Sequence, residues 1–183
     1  MRHGKPDLIA WPWIKASNMA EWIAAYNQAG INIGLPPAHA RTAAAKASVI
    51  VSSDLNRSIE SANCLRPDLP LVSDALFREA ALPCWPVYRL KLPPRIWAAC
   101  FRILWLAGYS DHSEARNTFQ QRVTHATTKL QKLAEQHGSV LFVGHGILNQ
   151  FISKQLLADG WTSSAGHLRH YWDAVDFSQP HKK

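Results

Sequence analysis

The chain has 183 residues, enough for one domain with a sizeable core and short for two. Apolar residues make up 47% and charged residues 18%, which excludes a disordered or low-complexity chain. The net charge of +7 favours an anionic partner. Nucleic acid is the weaker form of that reading, because the basic residues are scattered and their longest run is the Lys182-Lys183 pair. Cys64, Cys84 and Cys100 have no CxxC spacing and read as reduced thiols of a cytoplasmic protein. The most apolar stretch, residues 96–108, is too short for a bilayer span and carries Arg102, so no membrane association is expected.

The first residues are Met1-Arg2-His3-Gly4. In an α/β protein a reactive turn of this kind follows a strand, yet only Met1 stands ahead of it. The leading strand is therefore expected upstream, with Met1 an internal methionine of a longer protein; the N-terminal peptide mass of native protein tests this. Residues 5–14 read as a loop. Ser17 or Asn18 starts a helix, with Asn18 and Glu21 at capping-box spacing, Trp22, Ile23, Tyr26 and Ala29 on its apolar face, and Gly30 as its stop. After Pro36-Pro37, the Ala-rich residues 39–46 form a second helix. Val49-Ile50-Val51 suits a buried parallel strand.

Ser52 and Ser53 are N-cap candidates for a helix that repeats Leu55, Ile59, Ala62 and Leu65 and ends before Pro67. Leu71-Val72 is a weak strand leading toward Phe77-Arg78-Glu79. Residues 83–94 hold Pro83, Pro86, Pro93 and Pro94 with Trp85, Tyr88, Arg89 and Lys91. They read as a lid or specificity loop within an insert over about residues 80–110. A Trp- and Phe-rich helix covers roughly residues 95–107. Ser110 or Ser113 opens the clearest amphipathic helix, marked by Ala115, Phe119, Val123, Ala126, Leu130, Leu133 and Ala134 and closed by Gly138. Val140-Leu141-Phe142-Val143 is a buried strand, Gly144-His145-Gly146 the turn after it, and Leu148, Phe151, Ile152 and Leu156 a helix stopped by Gly160. Residues 171–177 are the last strand, at a sheet edge.

Strand and helix alternate from residue 49 onward. With right-handed crossovers this predicts one α/β domain over residues 1–183, a three-layer αβα sandwich on a mostly parallel sheet. Ligands in such folds bind at the C-terminal ends of the strands. Ser52, Ser53 and His145 fall there, which places the Arg57 helix and the His145 turn on one rim.

Arg2-His3-Gly4, Ser53-x-Leu55-x-Arg57-x-x-x-Ser61-Ala62, Glu79 and Gly144-His145-Gly146, in that order and over most of the chain, resemble the histidine phosphatase superfamily, the phosphoglycerate mutase-like fold, in its larger branch 1. Gly146 follows His145 where the acid-phosphatase branch would have an Asp. The resemblance implies a metal-independent phosphatase that hydrolyses phosphomonoesters through a phosphohistidine on His3, with no cofactor. Neutral imidazole is a competent nucleophile toward phosphorus once a backbone acceptor fixes its tautomer. Arg2 and Arg57 would grip the phosphoryl oxygens through guanidinium forks, with Gly4 and Gly146 beside them. His145 would donate to a phosphoryl oxygen, and Glu79 would act as general acid and then base.

The sequence departs from the family in two places. Leu82-Pro83-Cys84-Trp85 stands where Gly-x-x-Glu-Gly often follows the glutamate, and Ala10 stands where an Asn is common, a contact that Asn149 or Lys5 would have to supply. Glu60 and Glu114 are fallback carboxylates, both expected to be solvated on helices. No HExxH or Cys/His cluster points to a metal. The partner is a small anionic phosphorylated substrate; the oligomeric state is not encoded in any motif. A mutase, a phosphate-binding module without turnover, and a nucleic-acid binder are the alternatives.

Overall fold

The computed structural model describes residues 1–32, 34–85 and 89–179. Pro86 and Tyr88 of the lid loop, and the Lys182-Lys183 pair, lie outside the described residues. In chain order the elements are β1 (Ile14–Lys15), α1 (Met19–Gln28), α2 (Ala38–Ala45), β2 (Val49–Ser52), α3 (Asn56–Leu65), β3 (Leu71–Ser73), β4 (Lys91–Leu92), α4 (Pro94–Leu106), α5 (Arg116–His137), β5 (Val140–Val143), α6 (Gly146–Ala158), β6 (Thr162–Ser163) and β7 (Phe177–Ser178).

The central sheet is parallel, in the order β3-β2-β5. Val51 sits opposite Val72 on one side and Phe142 on the other. Every residue of β2 is buried, as the unbroken apolar run requires when helices cover both faces. Ile50 and Leu141 pack with Ala40, Ala44, Ala62 and Leu65 on one face. Val51 joins Phe77, Trp105, Phe119, Val123 and Leu148 on the other. This is the expected three-layer arrangement. A third cluster joins α1 to α4 through Met19, Trp22, Trp97 and Phe101. The Trp97 indole donates to the Ile14 carbonyl at 2.8 Å and ties α4 to β1.

Residues 1–3 extend the sheet beyond β5. Arg2 bridges Gly144 in the parallel sense, with Gly144 N–H donating to the Met1 carbonyl at 2.9 Å and His3 N–H to the Gly144 carbonyl at 3.0 Å. On the other side Arg2 N–H donates to the Asp173 carbonyl, and the Arg2 carbonyl accepts from Trp172 N–H. Two residues thus oppose one, and Trp172 is left-handed at φ 70. That is the geometry of a G1 β-bulge with a tryptophan in the position glycine usually takes.

Several local expectations give way to tertiary contacts. Asn18 makes no side-chain cap on α1; Ser17 bonds its side chain instead, and a 3-10 turn over Ala16–Asn18 leads into the helix. Gly30 is not the left-handed stop of α1, which ends through extended Ala29. A Cβ on Gly30 would lie 2.2 Å from the Glu60 carboxylate, which accepts Ile31 N–H at 2.7 Å, so a side chain there would have to displace that carboxylate. The amphipathic helix starts at Arg116 rather than at Ser110 or Ser113. His112 is left-handed at φ 55 and interrupts any helical path through it.

Gly138, at φ 80, closes α5 as read from the sequence. The expected strand over residues 171–177 reduces to β7, which pairs with β6 rather than with the central sheet. The bulge at Trp172 breaks the extended path that the apolar pattern implied. The loop of residues 5–14 ends in β1, antiparallel to β4, a pairing that two-residue strands leave no periodicity to predict.

Candidate active site

His3 is delivered by the short ladder beside β5, and the Asn149 side-chain amide donates to the Met1 carbonyl at 2.8 Å to hold that ladder. The imidazole is buried, 2% exposed. Its Nδ1 donates to the carbonyl of the next residue, Gly4, at 2.7 Å, so Nδ1 carries the proton and Nε2 keeps its lone pair. Burial first, and the Arg57 guanidinium second, push His3 down to about 3; the Gly4 bond opposes this and Arg2 adds to it.

His145 lies edge-on to His3, ring centroids 5.0 Å apart. It is the N-cap of α6, and its Nε2 is 2.7 Å from Ser53 Oγ and 3.3 Å from Ser58 Oγ. Ser53 is therefore engaged with His145 rather than capping α3. The N-cap of α3 is Leu55, without a side-chain cap, and the Ser52 hydroxyl donates to the Ser53 carbonyl. Burial, then His3, Arg57 and Arg2, hold His145 well below the usual imidazole range.

Arg57 is carried into the interior by the first turn of α3 and is 2% exposed. Its guanidinium lies over the Tyr26 ring, 4.5 Å from Cζ to the centroid. Nη1 donates to the Tyr26 carbonyl at 3.0 Å and, at 3.4 Å, to Asn27 Oδ1. Arg2 stacks in the same way on Tyr171, also at 4.5 Å, and donates to the Arg169 carbonyl. Burial pushes the Tyr26 phenol up to about 12, so it stays neutral. Arg2 Nε, Arg57 Nε and His145 Nδ1 are buried and without hydrogen-bond partners among the described residues. Arg102 Nη1, Ser113 Oγ and Asn149 Oδ1 are likewise unpartnered; at the rim two of the three unpartnered donors belong to guanidinium groups, a donor set suited to an anion.

Glu79 follows the 3-10 turn Ala75–Phe77 and reaches the start of α6. Its Oε1 accepts Leu148 N–H at 2.9 Å and Ala80 N–H at 3.1 Å; its Oε2 accepts Ile147 N–H at 2.9 Å. A carboxylate has about four acceptor positions, so the remaining one is on Oε2. That oxygen and the Arg2 guanidinium border the same point, each 3.7 Å from where a Cβ on Gly146 would stand.

The glycines differ in what they permit. A methyl on Gly146 would make ordinary contacts, whereas one on Gly4 would lie 2.4 Å from the Trp172 ring. Gly4 N–H also donates to Ser61 Oγ at 2.8 Å. The fold thus brings Arg2, His3, Gly4, Arg57, Glu79, His145 and Gly146 to one rim.

The fallback carboxylates are engaged elsewhere and are not solvated as expected. Glu60 holds Ile31, and half-buried Glu114, which precedes α5, receives Arg122 at 2.7 and 2.9 Å. Arg122 also donates to the Leu76 and Arg78 carbonyls, bracing the turn before Glu79. Of the lid residues described, Trp85 packs on Tyr109 at 4.9 Å, and Lys91 pairs within β4 with β1. Tyr26 and Tyr171, which the sequence reading took as an apolar helix position and an edge-strand residue, are the aromatics that stack on the two arginines. Ser53 and Ser58 as partners of His145 were likewise not foreseen.

The imidazole environment has a consequence for stability. His3 stays neutral in the fold down to about pH 3, while the unfolded chain takes up its proton near pH 6.5. Between those values the unfolded state binds more protons, so stability falls as pH falls from 6.5 toward 3 and is unaffected by His3 above that window. His145 acts in the same direction. The unfolding free energy from urea titration is expected to drop steadily below pH 6.5, by up to about 1.4 kcal/mol per pH unit for each group, and to drop less steeply in His3→Gln.

The structure is a three-layer parallel α/β fold with two edge-on histidines, a buried Arg57 and a half-buried Arg2 at the strand ends. The family model of the histidine phosphatase superfamily (branch 1) matches residues 37–173, and the chain belongs to that superfamily. The match covers Arg57, Glu79 and His145; Arg2 and His3 precede it. Comparison with curated proteins gave no match.

Among solved structures, the native mycobacterial glucosyl-3-phosphoglycerate phosphatase is 24% identical, covers 86% of this chain and 77% of its own, and superposes with a TM-score of 0.56. The phosphoglycerate mutase of Bacillus anthracis is 20% identical over 86% of this chain and 78% of its own, TM-score 0.56. The α-ribazole phosphatase of Shigella flexneri is 16% identical over 85% and 77%, TM-score 0.51. At these identities the likeness is one of fold.

Proposed function

We propose that this protein is a metal-independent phosphatase that hydrolyses a small phosphomonoester through a phosphohistidine on His3. The observation that carries the reading is the His3 imidazole: Nδ1–H is tied to Gly4, Nε2 is unprotonated, and Arg57 and Arg2 act on it electrostatically. In the first step Nε2 forms a bond to phosphorus, the bond from phosphorus to the ester oxygen breaks, and that oxygen takes a proton from Glu79, held at the open position on Oε2. In the second step water attacks phosphorus and gives a proton back to Glu79, the N–P bond breaks, and phosphate leaves. Arg2 Nε and Arg57 Nε stabilise the charge on the equatorial oxygens. With Ser53 donating to His145 Nε2, the Nδ1–H of His145 is the third donor.

The mycobacterial glucosyl-3-phosphoglycerate phosphatase of similar fold has been obtained in complex with inorganic phosphate, which supports an anionic ligand. Tyr26 and Tyr171 favour a substrate with a ring or apolar portion. The three unbridged cysteines support a reducing compartment such as the cytoplasm.

The decisive experiment is turnover of an aryl phosphate in EDTA, combined with acid-labile labelling from a phosphate donor and location of the label by mass spectrometry. Label on His3 with EDTA-resistant turnover is the expected result. Label on another residue, or loss of turnover in EDTA, would overturn the mechanism, and tight phosphate binding without turnover would make this a binding module.

A further inference from the structure

Glu79 stands in a stretch without helix or strand: the 3-10 turn ends at Phe77, and among the described residues the next regular element is β4. Such a segment has no ladder of its own to fix where its side chains point. Phe77 before it and Ala80 after it are nonetheless buried, 0% and 2% exposed, so the carbonyls here need partners from elsewhere. Two arginine side chains supply them. Arg122 of α5 donates through Nη1 to the Leu76 carbonyl at 2.9 Å and to the Arg78 carbonyl at 2.7 Å. Arg102 of α4 donates through Nη2 to the Ala80 carbonyl at 2.7 Å. The carbonyls just before and just after Glu79 are thus held from two different helices. Each cation is fixed in turn. Nε and Nη2 of Arg122 make a fork on Glu114 at 2.9 and 2.7 Å, in a pair only 18% and 19% exposed. Arg102 lies over the Trp105 ring at 5.1 Å, and the Trp105 indole donates to the Glu114 carbonyl at 2.8 Å. One connected network therefore joins α4, the start of α5 and the backbone around Glu79.

We propose that Arg122 and Arg102 are positioning residues for Glu79: by clamping the peptide carbonyls on both sides of it they hold its carboxylate at the amino end of α6, with the open position on Oε2 toward the leaving oxygen. The assignment rests on Glu79 being the proton donor. The same carboxylate accepts the Ile147 and Leu148 N–H groups, both at 2.9 Å, so those two amides report where it stands. A displacement of about 1 Å at Glu79 would loosen these bonds and misplace the proton together. The two arginines differ in what can replace them. Arg122 serves a carboxylate and two carbonyls from one planar group, a pattern an ammonium does not match. Arg102 serves one carbonyl, and its Nη1 has no partner among the described residues, so a lysine meets the same need.

Arg122→Lys, which keeps the charge opposite Glu114 and so the fold, is compared with native protein, Arg102→Met, Arg102→Lys and Glu79→Gln. Two esters are used: a nitrophenyl phosphate, whose leaving oxygen needs little help from an acid, and an alkyl phosphate, whose leaving oxygen needs a proton. Arg122→Lys and Arg102→Met are each expected to lose about 10²-fold in kcat on the alkyl ester and less than about threefold on the aryl ester, with KM little changed. Arg102→Lys is expected to recover most of what Arg102→Met loses. Hydrogen exchange at the Ile147 and Leu148 amides is expected to quicken about tenfold in Arg122→Lys, against an unchanged rate at Leu156 of the same helix. Losses that do not differ between the esters, or native exchange at Ile147 and Leu148, would overturn the proposal; a Glu79→Gln variant slowed selectively on the alkyl ester would then still uphold the proton donor. Losses in Glu79→Gln that are themselves equal on the two esters would overturn the proton-donor reading, and this proposal with it.

Discussion

Replacing His3 by alanine is expected to lower kcat for an aryl phosphate by a factor on the order of 10⁴–10⁶, the range seen when an enzyme nucleophile is deleted. The variant should still bind inorganic phosphate, because Arg2 Nε, Arg57 Nε and His145 Nδ1 remain. Among the described residues no other group in the site offers an unprotonated nitrogen next to the two arginines: the second imidazole is engaged through Nε2 with Ser53. His3→Gln fills the same space without a nucleophile and should be as inactive, which separates chemistry from packing. Free imidazole should restore part of the activity to His3→Ala and none to His3→Gln. Steady-state kinetics and phosphate binding by calorimetry check this. Turnover within tenfold of native would remove His3 from the mechanism.

The second large effect is expected at Arg57. Nη1 is committed to the Tyr26 carbonyl and Asn27, so the guanidinium meets an anion through Nε and Nη2. Lysine keeps the charge but cannot hold the protein with one nitrogen and the phosphoryl group with two others. Arg57→Lys should lose about 10²–10³ in kcat/KM, as when one fixed transition-state donor is removed. Arg57→Ala should lose more and also destabilise the fold, because it strips the stacked cation from Tyr26 and leaves a cavity in the first turn of α3. Measuring kcat/KM beside the thermal midpoint separates the two: a lysine variant with native stability and native kcat/KM would show that Arg57 is a packing residue only.

Much of this architecture could be read from the residues because it depends on local chemistry. β2 and β5 are short β-branched or apolar runs ending in small polar or glycine turns, and such runs have few other uses in a chain of this size. Arg57 and His145 fall at the ends of those runs, so placing the runs placed the side chains. What could not be read depends on contacts between distant segments. Nothing around Tyr171 distinguishes it from an edge-strand residue, because its role is created by the bulge at Trp172 and the packing of that indole over Gly4. Ser53 looked like a cap because serine before a helix usually is one; a histidine 92 positions away competes for the same hydroxyl. Gly30 looked like a helix stop, yet its backbone is not left-handed and the Glu60 carboxylate of α3 lies against it.

The bond from His3 Nδ1 to the carbonyl of Gly4 lies wholly within two adjacent residues. The facing of the ring is thus set by main-chain wiring, and no exchange of a distant side chain can delete its acceptor. Alterations elsewhere can change the surroundings of the ring, but they leave His3 Nε2 pointing the same way. If His3 is the nucleophile, directed evolution should therefore find its freedom in Tyr26 and Tyr171, with the tautomer of His3 inherited unchanged.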